Sequence, residues 1–351
     1  LTNASGVKTI TLTYTTNTDA DGVTFKKVET GTKFKIDTSY TGDAVTINMA
    51  DASATDTALE VEITDFEDST NDTFNISSTG TEVLTINDKS SDSGETVNLS
   101  GVTATSGSKT KLILKGGDLI LGSLSTSFNE IDATTATGGI TLSAANRPST
   151  AMTITGGLGG DSFDMENASD VIDGALGTDT LVLTGNGVLG GWAVDLTSST
   201  DQVSMFAGKA NSTVQKNFEN VTASALTGSF GIDITGSTGA NTIIGSDNND
   251  NITPGLGADD VTVGKGNDFV DLTESTASAD KVRFTIAANN GLDTITGFNA
   301  ATDILQLPII DTKEAGTGSG ASTKIDTGAS QGDTLGDKAG IYLDNTDNLL
   351  G

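Results

Sequence analysis

Apolar and polar residues alternate in short runs along most of this chain, beginning near residue 57. The run LEVEI occupies residues 59–63, and VLTI occupies residues 83–86. A period of two places successive side chains on opposite faces of a β-strand, and no segment shows the longer period of an amphipathic helix. The pattern therefore predicts an all-β fold made of many short strands.

The composition agrees with short strands joined by tight turns. The chain has 43 glycines and only 3 prolines, and it is rich in Thr, Asn and Asp. Thr and Val favour strands, whereas Gly, Asn and Asp favour turns. No apolar stretch approaches the ~18 residues that a transmembrane helix needs, so the sequence predicts no membrane span.

The charge and the missing residue types exclude several functions. There are 47 acidic and 18 basic residues, with no His and no Cys. A net charge of −29 repels phosphate backbones, so no nucleic-acid partner is expected. A Ser-His-Asp triad, a thiol nucleophile and a disulfide framework are impossible. The many acidic residues leave glycoside hydrolysis possible, because that reaction needs a pair of carboxyl groups. Aromatic residues, which usually stack on sugars, make up only 5% of the chain, however. We therefore expect a protein that is not an enzyme.

An internal duplication indicates a solenoid. FNEI at 128–131 corresponds to FENV at 218–221, and each copy leads into a block rich in glycine and aspartate. Tandem related units are typical of a solenoid, in which each coil buries its face against the next coil. The prediction is a parallel β-solenoid, preceded by a small separate β domain because residues 1–56 lack the period.

Two blocks divide without remainder into nonapeptides, three in 156–182 and four in 236–271. Position six holds a polar residue in every nonapeptide: Asp161, Asp170, Asp179, Asn241, Asp250, Asp259 and Asp268. Position eight holds an apolar residue: Phe163, Ile172, Leu181, Ile243, Ile252, Val261 and Val270. An apolar residue at position eight is expected to enter the core from a short strand.

The nonapeptide turns supply the oxygen ligands expected of cation sites. Glycines allow a turn whose carbonyl oxygens converge, and the position-six side chain adds a further oxygen. The glycines expected to contribute are Gly157, Gly159, Gly177, Gly255, Gly257, Gly264 and Gly266. Oxygen-only ligands on a flexible loop select Ca²⁺ over zinc or copper.

Residues eighteen positions apart should lie one above another, because two nonapeptides make one coil. The expected pairs are Asp161 with Asp179, Asn241 with Asp259, and Asp250 with Asp268. Coils stack ~4.8 Å apart, a separation at which two bare carboxylates repel and one divalent cation can bridge them. Since Asn241 is neutral, its pair should form the weakest site.

At these residues the sequence resembles the RTX calcium repeat, G-G-x-G-x-D-x-U-x. The strands expected at 292–298 and 302–307 resemble the pair that closes an RTX β-roll. Together, residues 57–310 resemble the C-terminal part of bacterial RTX-type surface-layer (S-layer) proteins. The resemblance implies type I secretion from a Gram-negative cell, calcium-dependent folding outside it, and self-assembly at the cell surface. It also implies a homo-oligomeric lattice or filament, with lipopolysaccharide or another envelope component as a candidate partner.

Two alternatives remain open from the sequence. The chain could be an RTX adhesin or a subunit of an extracellular matrix filament, or it could be the non-catalytic region of a secreted RTX enzyme. The expected organisation, from the N-terminal domain onward, is: a β domain at 1–56, solenoid at 57–155, the first calcium block at 156–182, linker coils at 183–235, the second block at 236–271, capping strands at 272–310, and a loop with a C-terminal strand at 311–351.

Overall fold

The computed structural model describes residues 6–13, 23–37, 44–49, 57–64, 73–90, 95–104, 109–187, 190–284, 291–306 and 340–343. Within these ranges the regular structure is strand, apart from a three-residue 3-10 helix at Ala144–Asn146. No helix in these ranges is long and apolar enough to cross a membrane. The chain divides into two compact units, Leu1–Thr180 with Thr213–Asn217, and Leu181–Ser212 with Phe218–Gly351.

The first unit is a two-sheet parallel solenoid. Its strands are β1 Thr9–Thr13, β2 Val23–Val28, β3 Lys33–Asp37, β4 Ala44–Met49, β5 Ala58–Ile63, β6 Thr73–Thr79, β7 Val83–Asp88, β8 Glu95–Thr103, β9 Thr110–Gly116, β10 Leu119–Leu124, β11 Phe128–Ala136, β12 Ile140–Leu142, β13 Thr153–Thr155, β14 Ser162–Met165, β15 Val171–Asp173 and β20 Gln215–Lys216. One sheet has the order β1-β3-β5-β7-β9-β11-β13-β15-β20, and the other runs from β2 to β14 through the even-numbered strands. Consecutive strands thus alternate between two sheets, as a solenoid requires.

The alternating sequence pattern determines which side chains enter the core. In β7, Leu84 and Ile86 are fully buried and lie opposite Leu112 and Leu114 of β9 in parallel register. The residues between them face outward and are half-buried. The prediction of an all-β, parallel β-solenoid is confirmed.

The strands before residue 56 extend these same two sheets. Phe34 of β3 lies opposite Val61 of β5, and Val45 of β4 lies opposite Ile76 of β6. The sequence analysis expected a separate N-terminal domain because this segment has no fixed period. Strand pairing needs only alternate buried positions, however, and an unequal spacing of the strands along the sequence obscures the period without interrupting the solenoid.

The second unit also contains two sheets. Its strands are β16 Thr180–Gly187, β17 Trp192–Asp195, β18 Val203–Phe206, β19 Lys209–Ala210, β21 Asn220–Gly228, β22 Ile232–Thr235, β23 Thr242–Ile244, β24 Asn251–Thr253, β25 Asp260–Thr262, β26 Phe269–Asp271, β27 Lys281–Arg283, β28 Leu292–Thr296, β29 Ile304–Gln306 and β30 Gly340–Leu343. One sheet has the order β16-β21-β23-β25-β27-β29, and the other β19-β18-β17-β22-β24-β26-β28-β30.

An antiparallel hairpin lies at one edge of the second unit, where linker coils were expected. β18 pairs antiparallel with both β17 and β19. The loop between β18 and β19 is Ala207-Gly208, and both residues have positive φ, 48° and 79°. Two positive φ angles define the two-residue turn that matches the twist of antiparallel strands. Trp192 is buried and contacts Phe206 with ring centroids 4.2 Å apart.

The strands expected to close the roll pair in parallel with the strands before them, and β29 is the last strand of its sheet in the described chain. β28 pairs with β26 and β30 in one sheet, whereas β29 pairs with β27 in the other, all in parallel. β28 and β29 are therefore not a hairpin, because each joins a different sheet. Of the loop and C-terminal strand expected at 311–351, only the strand Gly340–Leu343 lies within the described residues.

Candidate metal centre

The ninefold register of the sequence matches the burial of the side chains. All seven position-eight residues are fully buried. All seven position-six residues are also buried, with exposed fractions between 0% for Asp170 and 3% for Asp250. Each short strand therefore directs its apolar residue into the core, and the turn before it ends on a buried polar group.

The three expected pairs lie on neighbouring coils, and a hydrogen bond joins the members of each pair. The backbone N–H of Asp161 donates to Oδ1 of Asp179 at 2.7 Å. Asn241 N–H donates to Asp259 Oδ1 at 2.7 Å, and Asp250 N–H donates to Asp268 Oδ1 at 2.9 Å. The later carboxylate of each pair thus binds the main chain of the earlier residue.

In the earlier turn of each pair, a backbone N–H donates a hydrogen bond to the position-six side chain of the same turn. The N–H of Gly157, at position two, donates to Asp161 Oδ2 at 2.7 Å. Ser246 N–H donates to Asp250 Oδ2 at 2.6 Å, and Ser237 N–H donates to Asn241 Oδ1 at 2.7 Å. We call these three turns, which precede Asp161, Asn241 and Asp250, the capped turns.

The later turn of each pair has a different backbone. Positions two and four have positive φ in all three: Ala175 72°, Gly177 147°, Gly255 102°, Gly257 110°, Gly264 102° and Gly266 121°. Within the described chain, Oδ2 of Asp259 and Oδ2 of Asp268 are buried and accept no hydrogen bond. We call the turns that precede Asp179, Asp259 and Asp268 the open turns.

Glycine is required at position two of the open turns before Asp259 and Asp268, because these turns stack directly on the capped turns. A Cβ on Gly255 would lie 2.1 Å from the carbonyl oxygen of Ser237, and one on Gly264 would lie 1.9 Å from that of Ser246. The next N–H of each open turn donates to the same carbonyl, Leu256 to Ser237 at 3.0 Å and Lys265 to Ser246 at 3.1 Å.

Burial makes the carboxylates of the second block costly to ionise. It raises the pKa of Asp268 to about 8, with further contributions from the charges of Asp250 and Asp293. Burial likewise raises the pKa of Asp259 to about 7 and that of Asp250 to about 6. A buried carboxylate oxygen without a partner is stabilised by a proton or by a cation.

The available ligands fit a calcium ion better than a transition metal. They are carboxylate and carbonyl oxygens, and the chain has no His or Cys. Among the described residues, no three acidic side chains converge on one point that could hold a metal. Backbone carbonyls of the glycine turns would therefore have to complete any ion site, and Ca²⁺ accepts such carbonyls readily.

Asp170 has a positively charged partner within the chain. Arg147 Nη2 lies 2.7 Å from its Oδ1, and both side chains are fully buried. The N–H groups of Met152 and Asn167 donate to its two oxygens at 2.9 and 3.0 Å. The guanidinium thus occupies the position where the sequence predicted a bound cation, and this turn contains no glycine.

Three aspartates outside the nonapeptides continue both series. Asp259 N–H donates to Asp280 Oδ1 and Asp268 N–H donates to Asp293 Oδ1, each at 3.0 Å, and Asp280 N–H donates to Asp303 Oδ1 at 3.2 Å. The sequence analysis missed them because their spacings are 21, 25 and 23 residues instead of 18. Their signal is an aspartate two residues before an apolar strand position, such as Val282.

Comparison with known proteins adds no family assignment. Neither the protein-family models, nor the curated proteins, nor the solved structures contain a match to this chain.

Proposed function

We propose that this chain is a secreted calcium-binding structural protein that assembles with copies of itself into an extracellular surface layer. The observation that carries the proposal is the pair of buried, unpartnered oxygens, Asp259 Oδ2 and Asp268 Oδ2, each behind a glycine turn with positive φ. The resemblance of the nonapeptides to RTX repeats supports calcium as the ligand. The role is structural rather than catalytic.

Calcium would act at the stacked turns. At each pair, the position-six carboxylate of the open turn and the carbonyls of the glycine turns would supply oxygen ligands. The bound cation would make ionisation of the buried carboxylate favourable and would hold two coils together. Apo chain carries a net charge of −29, so self-repulsion opposes its compact state.

The affinity expected for such sites agrees with an extracellular location. Extracellular calcium modules bind with dissociation constants of ~10⁻⁴–10⁻³ M, well above those of cytosolic calcium buffers. A chain that needs this concentration would remain loosely folded inside the cell and would fold after export. Type I secretion from a Gram-negative cell fits this sequence of events.

Assembly would require calcium a second time. Neighbouring subunits with the same strongly acidic surface repel each other, and divalent ions shared between them would reduce this repulsion. A second copy of the chain is the proposed lattice or filament partner, and lipopolysaccharide or another envelope component is the proposed anchor. Assembly should therefore need more calcium than folding.

Circular dichroism with and without a chelator tests the folding part of the proposal. We expect the β signal and the melting temperature to fall in excess chelator, to recover with millimolar Ca²⁺, and to recover less with Mg²⁺. An unchanged spectrum and melting temperature in chelator would exclude calcium-dependent folding.

Light scattering recorded in the same calcium titration tests assembly. We expect scattering to rise at higher Ca²⁺ than the circular dichroism signal, and negative-stain images to show ordered arrays or filaments. A chain that folds on calcium and stays dispersed at several millimolar would contradict a surface layer and favour the adhesin alternative.

A further inference from the structure

The coil that follows the second block differs from the nonapeptides. Residues 272–280 connect β26 to β27, and Asp280 takes the place of the position-six residue. This segment, LTESTASAD, contains no glycine and carries one further acid, Glu274. β27 lies beside β25 in one sheet. The segment that leads into β27 is therefore the neighbour, one coil later, of the open turn that leads into β25.

Glu274 has one carboxylate oxygen without a partner. Its Oε1 accepts the N–H of Ser278 at 2.8 Å, whereas its Oε2 is buried and accepts no hydrogen bond from the described chain. Asp259 is 1% exposed, and its Oδ2 is unpartnered in the same way. Asp259 and Glu274 therefore each have one buried carboxylate oxygen that accepts no hydrogen bond from the described chain.

Glu274 belongs to the segment that leads to Asp280, and Asp280 Oδ1 accepts the N–H of Asp259, so the two carboxylates lie on adjacent coils. Burial is the main cause of the raised pKa of Asp259, and the charges of Asp280 and Glu274 raise it further. Burial also raises the pKa of Asp280, and Glu274 and Asp303 add to that effect. The basic residues of the next strand, Lys281 and Arg283, do not relieve this repulsion, because both pair with Asp260.

Asn241, the residue expected to share an ion with Asp259, has an amide that the protein already uses. Its Oδ1 accepts the N–H of Ser237 at 2.7 Å. Its Nδ2 donates to the carbonyl of Glu219 at 2.5 Å. Both ends of this amide thus already make hydrogen bonds within the protein, and the side chain contributes no charge.

We propose that the divalent cation at the open turn of Asp259 is held by Asp259 and Glu274, with backbone carbonyls completing its oxygen ligands. This inference rests on the proposed calcium function and assigns a ligand to one of its sites. Glu274, from outside the repeats, supplies the second carboxylate that Asn241 does not. The site expected to be weakest would then have two charged ligands.

The test is the number of Ca²⁺ ions bound per chain, measured by equilibrium dialysis at a calcium concentration that saturates the unaltered protein. We expect Glu274→Gln to bind about one ion fewer. Asp247→Asn is the matched control, since it removes one negative charge from an exposed residue that pairs with Lys265. This control and Asn241→Ala should bind the same number as the unaltered protein.

A double variant shows whether both carboxylates hold the same ion. Asp259→Asn combined with Glu274→Gln should lose no more calcium than either single substitution, and additive losses would overturn the assignment. An unchanged ion count in Glu274→Gln would overturn it while leaving the proposed function intact. An unaltered protein that binds no calcium would overturn both.

Discussion

The backbone N–H of Asp250 donates to Oδ1 of Asp268, one coil further along the chain, at 2.9 Å. Asp268 N–H donates to Asp293 in the same way, so each aspartate links its main chain to the next carboxylate. A hydrogen bond to an ionised acceptor is worth roughly 1.5–3 kcal/mol, more than one between neutral groups. Because burial raises the pKa of Asp268 to about 8, the Asp250–Asp268 bond reaches that strength at neutral pH only when a bound cation keeps the carboxylate ionised.

The open turns should not tolerate a side chain at position four. Gly257 has φ of 110°, and a Cβ there would lie 2.7 Å from the backbone of Gly239. We expect Gly257→Ala to lower the free energy of unfolding by about 1–3 kcal/mol, as is usual for forced backbone strain. Urea unfolding at saturating calcium measures this loss.

Gly239→Ala is the matched control for Gly257→Ala. Gly239 occupies position four of the capped turn below, and a Cβ there would have no neighbour closer than 3.9 Å. We expect a change in unfolding free energy within ~0.5 kcal/mol, as for most surface substitutions. Equal losses for the two variants would contradict the distinction between open and capped turns.

The charge of Asp268 should determine the calcium concentration at which the chain folds. Asp268→Asn keeps an oxygen that can accept the Asp250 N–H but removes the negative charge beside the open turn. We expect the calcium midpoint of the circular dichroism transition to rise about tenfold, equivalent to ~1.4 kcal/mol. Asp268→Ala should shift it further, and Asn241→Ala should shift it less than either. A midpoint unchanged in Asp268→Asn would exclude this carboxylate as a ligand.

Arg147 should stabilise its turn without calcium. Arg147→Gln leaves Asp170 buried without its charged partner, which typically costs about 3–5 kcal/mol. Arg283→Gln is the control, because its pair with Asp260 is partly exposed and solvent screens it, so only a small loss is expected. Both are compared by urea unfolding at saturating calcium. Replacing both partners by Arg147→Met with Asp170→Leu removes the buried charge but leaves the N–H groups of Met152 and Asn167 without an acceptor, so it should recover only part of the loss.

Glu62 should make the first unit sensitive to acid. Burial alone would raise the pKa of Glu62, but hydrogen bonds from Lys33, Lys35 and Lys89 outweigh burial and lower it to about 2. Because this value lies below the ordinary 4.5, the stabilisation is complete above pH 4.5 and is lost as the pH falls towards 2.

Glu62→Gln should therefore destabilise the protein by about 2 kcal/mol at pH 7, allowing for solvent screening around the three lysines. Urea unfolding at pH 7 and pH 3 should show the difference from the unaltered protein shrinking in acid. Glu60→Gln is the control, since Glu60 is 37% exposed and pairs with Lys33 alone. A difference independent of pH would mean that the lysines do not act on the Glu62 charge.

The features set by a fixed spacing were predictable from the sequence. Nine residues per strand and turn placed Ile252 and Val270 in the core on neighbouring coils, and the structure pairs them in parallel. The N-terminal strands were not placed in the solenoid because they are unequally spaced along the sequence. Phe34, Val61 and Ile86 lie opposite one another on neighbouring strands of one sheet, but their spacing along the sequence is unequal. Each of them has a polar residue on either side in the sequence.

The partners of the buried polar groups were not predictable, because they come from irregular segments. Arg147 lies 23 residues before Asp170, outside the block, and no repeat indicates which side chain will enter that turn. The distinction between open and capped turns was also missed. Both kinds match the repeat pattern, yet Gly157 uses its N–H as a cap whereas Gly255 adopts a positive φ.

Asp250 and Asp268 are hydrogen-bonded to each other and lie eighteen residues apart, which is one full coil. This spacing limits how the length of such a chain can change during evolution. Removing residues 245–262 would delete one strand from each sheet and leave every following strand in its own sheet. Removing only residues 245–253 would transfer β25 and all later strands to the opposite sheet, where Asp259 and Asp268 would face new neighbours. Length is therefore gained or lost most easily by whole coils, each with its own carboxylates and turns.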